Sequence, residues 1–114
     1  MSGAPSHDRG TTHFIRERLS SLLLIPLTVW FIATMVAYVG ADHAAVVALL
    51  SDPIDLVLMA SFVIVGMYHS ALGVQVVIED YFANPRRRTL IIANYAAHIL
   101  VVIVCLYALV RIAF

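Results

Sequence analysis

His69 stands inside a stretch of the chain, residues 56–78, that holds no Asp, Glu, Lys or Arg. It precedes Glu79 by ten residues, which on a helix puts it about 15 Å from that charge. At about 100° per residue, Gly66, His69, Ser70, Gly73 and Asp80 fall within about 100° of one another, and Phe62 shares their face two turns away. Ile64, Met67, Ala71 and Ile78 point the other way. A neutral imidazole is an axial ligand of haem iron, and small neighbours leave room beside it for a flat cofactor. The same pattern also serves plain helix packing, with His69 hydrogen-bonded to an adjacent helix and Gly66-x-x-x-Ser70 as a close-approach face. Glu79, Asp80 and Tyr81 read equally as an interfacial cap, since Tyr favours the headgroup level.

His98 lies in a second uncharged stretch, 89–110, about nine residues from its inner end and at a similar depth. An internal His69–His98 clamp on iron is therefore open, beside an interhelical polar contact shared with Asn94, four residues earlier on the same face. Gln75, about 120° round the helix from His69, reads as packing or a subunit contact.

Elements able to hold these residues follow from composition. Hydrophobic residues make up 62% of the 114 and charged residues 12%, against roughly 45–50% and about 25% in soluble domains. So much apolar surface needs lipid as its solvent. Three stretches, 19–41, 56–78 and 89–110, carry no Asp, Glu, Lys or Arg. Each exceeds the roughly 20 residues that cross a hydrocarbon core, where only helices satisfy their own backbone groups. The expected fold is an all-α membrane protein with three transmembrane helices. A polar segment 1–18 precedes them, an outer loop 42–55 and an inner loop 79–88 connect them, and Pro26 is tolerated inside the first. The first apolar run begins after a polar stretch and is too long for the h-region of a signal peptide, so it is expected to remain as a span.

Arg9, Arg16 and Arg18 precede the first span and Arg86, Arg87 and Arg88 follow the second, whereas Arg111 alone is basic on the other side. The positive-inside rule then puts the N-terminus inside and the C-terminus outside, with Arg86–Arg88 also meeting anionic headgroups. A net charge of zero and the lack of a basic stripe exclude nucleic-acid binding. The single cysteine, Cys105, excludes an internal disulfide and a Cys-x-x-Cys motif.

The run His69-Ser-Ala-Leu-Gly73-Val-Gln75-Val-Val-Ile-Glu79-Asp80-Tyr81 resembles the signature of the D-type, cytochrome b-type hydrophobic membrane-anchor subunits of succinate dehydrogenase (succinate:quinone oxidoreductase, complex II). That signature is a His, a Gly four residues on, and Asp-Tyr eleven and twelve residues after the His. Arg18-Leu-Ser20, opening the first span, is similar to the family's Arg followed by a small residue. The resemblance implies that His69 is one axial ligand of a haem b shared with a partner anchor subunit of the C type, which brings the second ligand. It implies that Tyr81 donates a hydrogen bond to a carbonyl of ubiquinone, that Asp80 belongs to the same site, and that Arg18 lies near the haem propionates or the quinone pocket. Phenols are protonated donors at neutral pH, and such a bond strengthens as charge develops on the quinone oxygen. Asp80 would orient a water or relay protons.

The implied partners are a flavoprotein subunit carrying FAD, an iron–sulfur subunit, the C-type anchor and membrane lipid. With no dinucleotide fingerprint and no cysteine ligand set, the chain is not expected to oxidise succinate itself. The expected location is a bacterial inner membrane, since no Arg- and Ser-rich transit segment is present. Two alternatives remain at this stage: an anchor of a quinol:fumarate reductase, and a haem-free membrane scaffold. A proton-coupled transporter would carry an acidic residue within a span, and none is there.

Overall fold

The computed structural model describes residues 5–114, with side chains from residue 10 onward. The Arg9 side chain, counted above for orientation, therefore lies outside the described residues. Among the described residues all regular structure is helical: α1 (Pro5–Ala37), α2 (His43–Ser51), α3 (Pro53–Tyr81) and α4 (Arg86–Ala113). Three of these are long and apolar enough to span a membrane, over Gly10–Ala37, Pro53–Tyr81 and Arg86–Ala113. The all-α, three-span architecture is the one expected from the uncharged stretches.

At its C-terminal end α1 stops at Ala37, short of the expected residue 41, where the chain turns. At its N-terminal end α1 outruns its stretch, and α3 and α4 outrun theirs at both ends, because absence of charge marks only the hydrocarbon-buried part of a helix. Backbone groups continue to pair beyond it until a cap intervenes. Asp52 caps α3, its carboxylate accepting from the backbone N–H of Ile54 at 2.9 Å and of Asp55 at 3.2 Å. Pro53 at the first helical position has no N–H left to satisfy. At the other end Arg87 reaches back, its Nε donating to the Phe82 carbonyl at 2.9 Å and its Nη2 to the Glu79 carbonyl at 3.0 Å. A guanidinium there satisfies terminal acceptors and suits the negative end of the helix dipole. One member of the arginine triplet thus also closes a helix.

Residues 42–55 hold a helix that charge counting does not reveal. Gly40, at φ 80°, turns the chain after α1, and Asp42 then caps α2 by accepting from Ala45 N–H at 2.9 Å. The apolar run within α2 is too short to span lipid, so its residues pack instead against α3 and α4, and Leu50 is buried.

α3 is the central element. α1 packs along one side of it and α4 along another. Phe31 of α1 stacks on Phe62 of α3 with centroids 4.4 Å apart. Asn94 of α4 is buried and donates through Nδ2 to the Ala71 carbonyl at 3.0 Å. Tyr95 of α4 donates to the Gln75 amide oxygen, so both polar residues join helices. Among the described residues only small patches such as Ala71, Leu72 and Ile78 are buried. Leu22, Ile25, Val29, Leu100, Ile103 and Val104 are more than half exposed, a surface that requires lipid or partner subunits.

Candidate functional site

The site is built where α1 meets the middle of α3. Gly66 faces α1 there, and a Cβ on it would meet Leu24 Cδ2 at 3.8 Å, ordinary contact. One turn further along α3, the buried Ser20 hydroxyl lies 2.7 Å from His69 Nδ1. Ser20 Oγ also donates to the Glu17 carbonyl of its own helix at 3.0 Å. No hydrogen bond engages His69 Nε2 among the described residues. A groove of about 440 Å³ opens beside the ring, lined by Ser21, Leu24, Ile25, Thr28, Val29 and His69.

Gly73 lies one turn from His69 toward the C-terminal end of α3, and a Cβ there would meet nothing within 4 Å. The two glycines therefore differ in use. Gly66 faces α1, and Gly73 faces space that this chain does not fill. Asp80 and Tyr81 close α3 and are exposed, Tyr81 to 80%. Tyr81 is the last residue of the helix, and Phe82 is extended. Neither residue makes a side-chain hydrogen bond among the described residues, so both present their polar atoms outward.

Arg18 is exposed and lies over the Phe14 ring, its guanidinium carbon 5.0 Å from the centroid. On α1, at about 100° per residue, Phe14, Arg18, Ser21 and Ile25 form one stripe, and Ser21 and Ile25 line the groove beside His69. Arg18 thus stands on the groove's stripe at its N-terminal end. It and Tyr81 are on different helices, with no hydrogen bond between them among the described residues.

His98 is placed differently. Its Nδ1 lies 2.9 Å from the Asn94 carbonyl, which can only accept, so Nδ1 carries the proton. Its Nε2 then accepts from Ser70 Oγ at 3.1 Å. Both ring nitrogens are engaged, and His98 pairs with α3 while His69 pairs with α1. The internal two-histidine clamp that spacing left open is not formed. Among the described residues there is no group of three or more His, Cys, Asp or Glu able to hold a bare metal ion.

Sequence reasoning missed the Ser20–His69 contact and a second, polar cavity of about 540 Å³ lined by Thr12, His13, Arg16, Gln75, Glu79 and Tyr95, with Gly10 and Leu72 completing it. A hydroxyl near the inner end of the first span was the only available signal for the contact.

Comparison with known proteins gives a consistent answer. A family model described as the succinate dehydrogenase/fumarate reductase transmembrane subunit matches residues 4–107. A succinate dehydrogenase hydrophobic membrane anchor subunit of Rickettsia bellii is 34% identical over 100 residues, 87% of this chain and 80% of the relative. The protein of the same description in Paracoccus denitrificans is 31% identical over 109 residues, 96% of this chain and 84% of its own length. That of Rickettsia prowazekii is 32% identical over 84 residues, 73% and 67% of the two chains. No solved structure is matched.

Proposed function

This chain belongs to the succinate dehydrogenase/fumarate reductase transmembrane subunit family as a hydrophobic membrane anchor, and from that premise we propose that it supplies one axial ligand of a haem b and one wall of a ubiquinone-reduction site. It works in an assembly with a flavoprotein carrying FAD, an iron–sulfur subunit and a C-type anchor that brings the second axial ligand. Since the relatives are bacterial, the location proposed is the bacterial inner membrane, with the N-terminus and the 79–88 connection on the cytoplasmic face, as the arginines favour.

The observation that carries this reading is the state of His69. Its Nδ1 is held by Ser20 while Nε2 is free of hydrogen bonds and a groove opens beside the ring. These residues fit a haem: a ring nitrogen unpaired, a glycine next to it with no neighbour to displace, and a cationic Arg18 on the groove's stripe to meet propionates. When bound, the haem supplies a one-electron redox centre whose potential depends on its ligands and their hydrogen bonds. His69 anchors it to α3, and Gly73 keeps the helix surface low enough for the macrocycle and the partner subunit to approach.

Tyr81 and Asp80 serve the substrate. Ubiquinone reduction takes two electrons and two protons. The exposed Tyr81 phenol, at the end of α3, donates to a quinone carbonyl and stabilises the charge that develops there. Asp80 is a neighbour on the helix, and adjacent helical residues do not face each other, so its part is to hold a water that delivers protons from the inner aqueous side.

The test is a reduced-minus-oxidised spectrum of the complex purified in mild detergent through its flavoprotein. A b-type signal is expected in the wild type and its loss in His69→Ala, with flavin content retained. A complex that assembles with flavin and shows an unchanged b-type signal in His69→Ala would overturn the assignment.

A further inference from the structure

The Ser20 hydroxyl is only 4% exposed, carries one proton and has two partners. One is the Glu17 carbonyl at 3.0 Å, which can only accept. The other is His69 Nδ1 at 2.7 Å, 49 residues away in sequence. If the carbonyl takes the serine proton, Nδ1 can approach the same oxygen that closely only as an N–H donor. A neutral imidazole with its proton on Nδ1 carries its lone pair on Nε2, the nitrogen with no partner among the described residues. If the serine proton turned to Nδ1 instead, the ring proton would sit on Nε2 and block ligation. The hydroxyl is buried, and the Glu17 carbonyl, which can only accept, competes with Nδ1 for its proton and so favours the tautomer with its proton on Nδ1.

His98 provides an internal comparison. It has its proton on Nδ1 as well, held by the Asn94 carbonyl, but Ser70 occupies its Nε2. Two histidines at similar depth are therefore set to opposite uses by serines on opposite ring nitrogens. Ser20 faces Nδ1 and leaves the lone pair free, whereas Ser70 faces Nε2 and closes it.

We propose that Ser20 is a positioning residue for the haem site: its hydroxyl oxygen, fixed by the Glu17 carbonyl, accepts from His69 Nδ1–H and so selects the tautomer and ring orientation that present Nε2 to iron. The inference rests on the assignment of His69 as ligand. It adds an electronic consequence, because a hydrogen bond from the far ring nitrogen raises the basicity of the ligating one. A more basic ligand favours the oxidised iron, so Ser20 lowers the potential of the bound haem.

The experiment uses the whole complex, isolated through its flavoprotein, in wild type, Ser20→Ala, Ser20→Cys, Ser20→Thr and His69→Ala. Haem per flavin during detergent washing and the midpoint potential of the b-type signal are measured. Ser20→Ala is expected to hold haem about 10- to 100-fold more weakly and to shift the midpoint to more positive values. Ser20→Thr restores both, and Ser20→Cys, a weaker acceptor of similar volume, falls between. Wild-type potential and haem retention in Ser20→Ala, while His69→Ala loses the signal, overturn the role of Ser20 and leave the ligand assignment standing. An unchanged signal in His69→Ala overturns both.

Discussion

Replacing Gly73 with leucine separates the folding of this chain from its use. A Cβ at Gly73 meets nothing within 4 Å, so the isolated helix bundle has no reason to resist the change. Glycine inside a helix is disfavoured by roughly 0.5–1 kcal/mol relative to alanine, so the substitution should leave insertion intact and slightly firm up α3. The consequence falls outside the chain, where Gly73 shares the His69 face one turn away. Filling space that the proposed haem and a partner helix would need is an overpacking change, which is worth about 1–3 kcal/mol, or roughly 5- to 150-fold in affinity. The assay is haem per flavin in the purified complex beside the amount of Gly73→Leu chain in membranes. Normal membrane amounts with depleted haem are expected. Normal haem content, or a loss of the chain itself before haem is considered, would refute the idea that this glycine is kept open for something outside the subunit. Gly66→Ala is the control, because its Cβ makes only an ordinary contact with Leu24 and should leave haem content unchanged.

Tyr81→Phe should lower succinate–quinone activity by up to about tenfold, the value of one neutral hydrogen bond, while succinate oxidation with artificial acceptors persists; equal loss of both in an assembled complex contradicts the role given to the phenol. Asp52→Ala removes a cap bonded to two backbone N–H groups and should destabilise by about 0.5–2 kcal/mol, read as a lower unfolding midpoint in detergent, with Asp52→Asn close to wild type. Asn94→Leu deletes the buried link to the Ala71 carbonyl and should loosen α4 from α3 by about 0.6–1.7 kcal/mol, measured the same way; an unchanged midpoint would show that apolar packing alone holds that pair.

What the chain alone determined is the number of its spans, because insertion into lipid sums local apolarity and penalises local charge. Residues 19–41, 56–78 and 89–110 announce themselves without reference to one another, and His69 is conspicuous for the same reason. The caps Asp42 and Asp52 also obey a local rule, although charge counting read them only as loop acids and hid α2. The tertiary structure decided which histidine is available. His69 and His98 are equivalent by depth and type, and their difference lies in which serine reaches which ring nitrogen across a helix interface. Such pairings depend on how α1 and α4 are rotated against α3, a property of side-chain shapes far apart in sequence that no hydropathy sum contains.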